Sequence, residues 1–180
     1  MGQVKRDDIR FSAPEKLTAF HDVSQFECGE SALDVWLKRR ALPNEEARAS
    51  RTYICCAGKE IAGYYALATG GITHAEAAGR VKRNMPDPIP VIIIGRLAIA
   101  SRFQGHGLGA ALLRDAVLRI VQAAEIAGIR AIHVHAISER ARHFYDTHGF
   151  IPSPADPMTL MITVTEAARI LTGKGTDRIG

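Results

Sequence analysis

The sequence predicts a mixed α/β sandwich: a helix and an antiparallel hairpin first, then strand, helix, strand, helix and strand, with a parallel strand pair at the centre. Two observations carry this. Residues 91–100 form a run apolar enough for a central strand buried on both faces. Immediately after it, across a turn rich in glycine, the apolar residues switch to helical spacing. With 180 residues, 47% hydrophobic and 23% charged, the chain can bury the core of one domain, which excludes a disordered or fibrous protein.

Ser31 followed by Asp34 signals a helix start, and Leu33, Trp36, Leu37 and Ala41 share one face, so a helix is expected over 31–41. Residues 51–57 and 61–69 are β-prone and flank Gly58-Lys59-Glu60, which reads as a hairpin turn. Residues 70–90 are polar and proline-rich and are expected to form a loop at a functional rim. After the strand at 91–100, Leu108, Leu112, Leu113, Ala116, Val117, Ile120 and Val121 repeat at helical spacing until Gly128. A strand at 129–136, a helix capped by Ser138 and ended by Gly149, and a strand at 158–164 complete the order. One domain is expected over 1–180, its core at about 10–172, with soft ends at 1–8 and 173–180.

The apolar run at 91–94 is far short of a membrane span, and the N-terminus has no secretory pattern, so a cytoplasmic protein without membrane contact is expected. Arg6 stands where a myristoylation signal after Met1-Gly2 needs Ser or Thr, and Lys174 between Gly173 and Gly175 is not a P-loop. Cys28, Cys55 and Cys56 read as buried reduced thiols, the neighbouring pair on opposite strand faces. His133 and His135 share a strand face but lack an evident third ligand, so no metal site is assigned.

Gly105, Gly107 and Gly109 occupy the turn and first helical turn after the buried strand, where each costs about 1 kcal/mol relative to alanine. Bare backbone at a helix start brings free N–H groups and the dipole against phosphate oxygens, so the turn is a phosphate cradle. It is neither GxxxxGK[ST] nor GxGxxG, which excludes the common nucleotide-binding loops.

Gln104-Gly105-His106-Gly107-Leu108-Gly109 resembles the [RQ]-x-x-G-x-[GA] pyrophosphate signature of GNAT acetyltransferases, and Phe144-Tyr145 with Gly149-Phe150 resembles their late FY…GF segment. The resemblance implies a GNAT-type mixed sheet with helices on both faces and acetyl-CoA held by Gln104, Gly105, His106, Gly107, Leu108, Gly109 and Ala110. It also implies Tyr145 as proton donor to the departing thiolate, and a strand bulge near Leu97, Ala98 and Ile99 whose backbone N–H polarises the thioester. Ser138 departs from an asparagine common in the family but caps a helix equally well. A tyrosine with pKa near ~10 is protonated at neutral pH, as a donor must be.

A finer resemblance runs over about 20–160. Upstream it rests on Phe26, Gly29, Leu33-Asp34, Trp36-Leu37, Ala41-Leu42, Asn44 and Ser50-Arg51-Thr52-Tyr53, and downstream on Gly95-Arg96-Leu97-Ala98-Ile99 and Leu113-Arg114-Asp115-Ala116. This is similar to the GNAT toxins of bacterial toxin/antitoxin modules. It implies acetylation of the α-amine of aminoacyl-tRNA, arrest of translation, a ribbon-helix-helix antitoxin and a homodimer. Lys38, Arg39, Arg40, Arg48, Arg51, Arg80, Lys82, Arg83 and Arg96 are the candidate tRNA contacts, within a net charge of +4. An aminoacyl ester acidifies its α-amine, which eases the need for a strong base, and none is evident in the motif segments. Two other readings stay open: a GNAT enzyme acting on a small amine or protein, and a non-catalytic acyl-CoA-binding partner.

Overall fold

Seven strands form one sheet in the order β1-β2-β3-β4-β5-β7-β6 in the computed structural model, which describes residues 8–172. The calls on residues 1–7 and 173–180, including Arg6 and Lys174, lie outside the described residues. The strands are β1 (Glu15–Lys16), β2 (Arg51–Ala57), β3 (Glu60–Ile72), β4 (Ile89–Ile99), β5 (Ala131–His135), β6 (Ile151–Pro152) and β7 (Thr159–Thr163). Only β4 and β5 pair in parallel; all other neighbours are antiparallel. A parallel pair needs a crossover, and α4 (Leu108–Ala124) supplies it.

The first helical segment runs further than expected. α1 (Ser31–Trp36) continues through a π turn, Leu37–Ala41, into α2 (Leu42–Glu46). Pro43 has no N–H for the carbonyl one turn earlier and its ring crowds that carbonyl, and the widened turn precedes it. Ser31 is not the cap: Glu30 is, without a side-chain bond, and the Asp34 carboxylate instead accepts from the Cys28 N–H at 2.9 Å.

Side chains of successive strand residues point to opposite faces, and β3 shows which helix covers which. The Tyr64 hydroxyl donates to the Leu33 carbonyl at 2.7 Å and its ring stacks on Trp36, so α1 lies on that face. The Tyr65 hydroxyl donates to Asp115 of α4 on the other face, where Arg119 also donates to Asp115 at 2.9 Å. α5 (Glu139–Thr147) starts at Ser138, whose hydroxyl accepts from the Ala141 N–H, as the sequence predicts. α6 (Val164–Thr172) follows β7 directly, beyond the last element the sequence predicts; its Ala167 is buried in the main core.

Residues 70–90 correct the loop expectation. β3 continues to Ile72, a short α3 (Gly79–Lys82) follows, and Ile72, Ala77, Ala78, Val81 and Ile89 join Val91, Ala131 and Met161 in a second small core. The apolar residues are too sparse for a regular period, so only their packing reveals them. Cys28, Cys55 and Cys56 are free and buried; the register shift opposite the neighbouring pair puts its extra residue, Ala62, in β3.

Candidate active site

β4 and β5 pair from Val91↔Ala131 to Ile94↔Val134 and then separate. At the same point β4 slips against β3: Ile94 opposes Leu67 and Arg96 opposes Ala66, leaving Gly95 as a bulge. The bulge lies two residues before the span 97–99 in which the family resemblance put it. It also reverses the alternation. Ile94 faces α4 with Leu67, whereas Arg96 faces the α1 side, its guanidinium 4.6 Å from the Trp36 ring. Beyond Ile94 one edge of β4 has no strand partner, and a cleft opens there.

That cleft has a volume of about 750 Å³. Leu97, Ala98 and Ile99 form one wall, and Gln104, Gly105, Gly107, Leu108, Gly109 and Ala110 form its end. Gly105 (φ +83°) and Gly107 (φ +77°) both take the left-handed region that other residues avoid. Gly107 is the N-cap of α4, no side chain caps the helix, and a Cβ at either glycine would meet no atom within 4 Å. The first N–H groups of α4 therefore face open space, and a pyrophosphate fits such a cradle of unpaired donors.

Gln104 lines the cleft, but its amide nitrogen donates to the Cys28 carbonyl at 2.9 Å and the Ile99 carbonyl at 3.0 Å, tying the turn to the strand end. His106 is the one cradle candidate absent from the lining; its Nδ1 lies 3.1 Å from the Phe103 carbonyl and its ring packs edge-on to Phe11.

Tyr145 lines the cleft from α5, buried between Phe144 and Phe150. Its hydroxyl bonds to no described protein group and is not sealed from the cleft. Burial disfavours the phenolate and pushes its pKa up to about 12, so the phenol keeps its proton at any physiological pH. The lining also includes Cys28, Glu30 and Leu33 from the α1 side, Arg140 and Ala141 from α5, and His148 just after it. The α5 residues sit beside the Ser138 cap and Tyr145 and were within reach of motif reading; those before α1 carry no local signal.

The basic candidates do not enter the cleft. Arg51 pairs with Glu45 at 3.1 Å and Arg80 with Glu166 at 3.1 Å. Lys38, Arg39, Arg40, Arg48, Lys82 and Arg83 are exposed and make no ion pair among the described residues. α1–α2 covers Tyr64, and α3 covers Ala131 and Met161, so both basic clusters lie on the face of the sheet opposite α4, the face that Arg96 joins.

Among the described residues one trio of possible metal ligands stands together, Glu15, His21 and Cys56. His21 Nδ1 accepts the Thr18 N–H at 3.0 Å, so Nε2 carries the ring proton toward Glu15 at 2.9 Å and has no lone pair for an ion.

Comparison with known proteins agrees with this geometry. Residues 48–152 match the acetyltransferase (GNAT) domain. A tRNA-acetylating toxin of Mycobacterium tuberculosis is 47% identical over 161 residues, spanning 89% of this chain and 97% of its own. The toxin AtaT in complex with acetyl-methionyl-tRNAfMet superposes with a TM-score of 0.81 at 30% identity, over 91% of this chain and 99% of that one. An AtaT variant bound to the C-terminus of the antitoxin AtaR and to acetyl-CoA gives 0.76 at 30% identity, over 92% and 99%.

Proposed function

The chain belongs to the GNAT acetyltransferase family, and from that membership we propose that it is an acetyl-CoA-dependent toxin that acetylates the α-amine of aminoacyl-tRNA. The observation that carries this reading is the 47% identity over 89% of the chain to a tRNA-acetylating toxin. A blocked α-amine cannot form the next peptide bond, so translation stops. A cognate antitoxin restrains it, of the ribbon-helix-helix type that the family resemblance implies, and the enzyme works as a homodimer in the cytoplasm, where charged tRNA is found. No helix among the described residues is long and apolar enough to cross a membrane.

Acetyl-CoA supplies an activated acyl group on a thiol that leaves as thiolate. The N–H groups of Gly107, Leu108, Gly109 and Ala110 take its pyrophosphate at the positive end of α4. Leu97, Ala98 and Ile99, which line the cleft, would hold its arm, and the backbone at the Gly95 bulge would orient the thioester. Tyr145 protonates the leaving sulfur, since its hydroxyl is protonated and open to the cleft. Gln104 positions the turn through Cys28 and Ile99. On the face opposite α4, Lys38, Arg39, Arg40, Lys82, Arg83 and Arg96, together with Arg80 and with Arg48 and Arg51 beside α4, attract the tRNA backbone.

The test is mass spectrometry of the 3′-terminal aminoacyl-adenosine after incubation with acetyl-CoA and total charged tRNA. The expected product carries an acetyl group on the amino acid. Unmodified charged tRNA, beside efficient acetylation of a polyamine, antibiotic or peptide, would overturn the substrate and leave the acetyltransferase core.

A further inference from the structure

With the acetyl arm running from Tyr145 to the glycine cradle, the adenosine of acetyl-CoA and its 3′-phosphate must leave on the far side of the cradle. Resting on that placement of the cofactor, we propose that they dock in a second cavity, between α4 and α6, with the 3′-phosphate on Arg114.

The second cavity has a volume of about 300 Å³, at the lower bound of ordinary small-molecule sites, ~300–1,000 Å³. It meets the cleft at Ala110 and His148, which line both. Ala110 is the last residue of the cradle, and Leu113, Arg114 and Val117 follow it on the same face of α4. A group carried past Ala110 therefore reaches Arg114 in about one helical turn, ~5.4 Å. α5 leads the same way: Tyr145 lines the cleft, and His148, just past the helix end, stands at the threshold.

The far wall is set by Gly149. Its φ of +92° is one that other residues avoid, and a Cβ there would stand 2.8 Å from Ile170 Cδ1, so α6 closes directly on the turn after α5. Phe150, Ile162 of β7, and Ala167 and Leu171 of α6 complete an apolar lining.

Apolar walls suit a flat adenine base, and a free cation at their edge suits a phosphate. Arg114 is exposed, and its side chain makes no ion pair among the described residues. No carboxylate lines the cavity to repel an anion. His148 Nδ1 lies 2.7 Å from the Phe144 carbonyl, which can only accept. In the neutral ring Nδ1 therefore carries the proton, and Nε2 keeps a lone pair for an adenine amine. An occupant that is flat, anionic and covalently continuous with the ligand of the cradle is adenosine 3′-phosphate.

Calorimetry on the intact protein tests this with acetyl-CoA and its 3′-dephospho form. Wild type should bind acetyl-CoA about tenfold more tightly, the worth of one charge-assisted contact. Arg114→Gln should lose that tenfold for acetyl-CoA and bind the dephospho form as wild type does, because the contact is already gone. Arg114→Lys keeps the charge and should retain most of the preference. In methyl-labelled protein followed by NMR, adenosine 3′,5′-bisphosphate should shift the signals of Leu113, Val117 and Leu171. The signal of Leu67, beside the other end of α4, should stay in place. Equal affinity for the two cofactors, an Arg114→Gln loss shared by both, or unmoved methyls around the second cavity would overturn the inference. If wild type binds neither form of acetyl-CoA, the cofactor reading fails, and the bisphosphate shifts still decide the cavity.

Discussion

The proposed role of Tyr145 as proton donor rests on its burial and its place in the cleft. The ring sits between Phe144 and Phe150 in the main core, yet its hydroxyl opens to the cleft. Removing that hydroxyl leaves the packing intact, so Tyr145→Phe should lower turnover by ~10²-fold or more and leave acetyl-CoA affinity nearly unchanged. Rapid-quench kinetics and calorimetry on the folded variant check it; an unaltered rate constant would remove Tyr145 from the mechanism. The raised pKa adds a second expectation. The alkaline limb of the rate should not reflect Tyr145 below about pH 12, since the phenol stays protonated up to that value.

At the scale of an element, the turn between β4 and α4 is the decisive piece. Gly107 caps the helix at φ +77°, where a side chain costs about 1–2 kcal/mol, and faces open space that a ligand can fill. Gly107→Asp adds that strain and sets a negative charge against the pyrophosphate. Acetyl-CoA binding should vanish in calorimetry, with a modest fall in melting temperature. Gly109→Ala is the contrast: its Cβ would touch Phe144 at 3.8 Å and Ile99 at 3.9 Å, ordinary contacts, and inside the helix it should fold at least as stably as wild type. Micromolar binding retained by Gly107→Asp would show that the anion is held elsewhere. The Gly95 bulge is the other element-scale device. It ends the parallel pairing, opens the cleft and turns Arg96 to the basic face in one residue.

For the whole molecule, the separation of charge matters more than the net +4. Both basic clusters sit across the sheet from α4, while the proposed pyrophosphate cradle is the backbone at the start of α4. The two substrates should therefore respond differently to salt. The apparent KM for charged tRNA should rise steeply with ionic strength, by ~0.7 to 0.9 log units per tenfold salt for each phosphate contact, with acetyl-CoA affinity changing less. Reversing Arg39 and Arg40, or Lys82 and Arg83, to glutamate should weaken tRNA turnover without altering acetyl-CoA binding. Equal salt slopes for both substrates would remove these residues from the tRNA interface.

The sequence by itself determined the fold class, the parallel pair, the α4 and α5 helices and the glycine cradle, because each depends on local spacing: an apolar run, a 3.6-residue period, a serine cap, glycines at a helix start. Tyr145 was marked only by the resemblance of its segment to the family's FY…GF pattern, not by spacing. Only the tertiary structure decided the rest. The bulge at Gly95 rather than within 97–99 is a matter of register between β3 and β4, and register is a property of two strands. The small core within 70–90 is assembled from residues separated by loops and completed by Ala131 and Met161. His106, inside the motif, turns to Phe103 and Phe11, while Cys28 and Leu33, far from it in sequence, line the cleft.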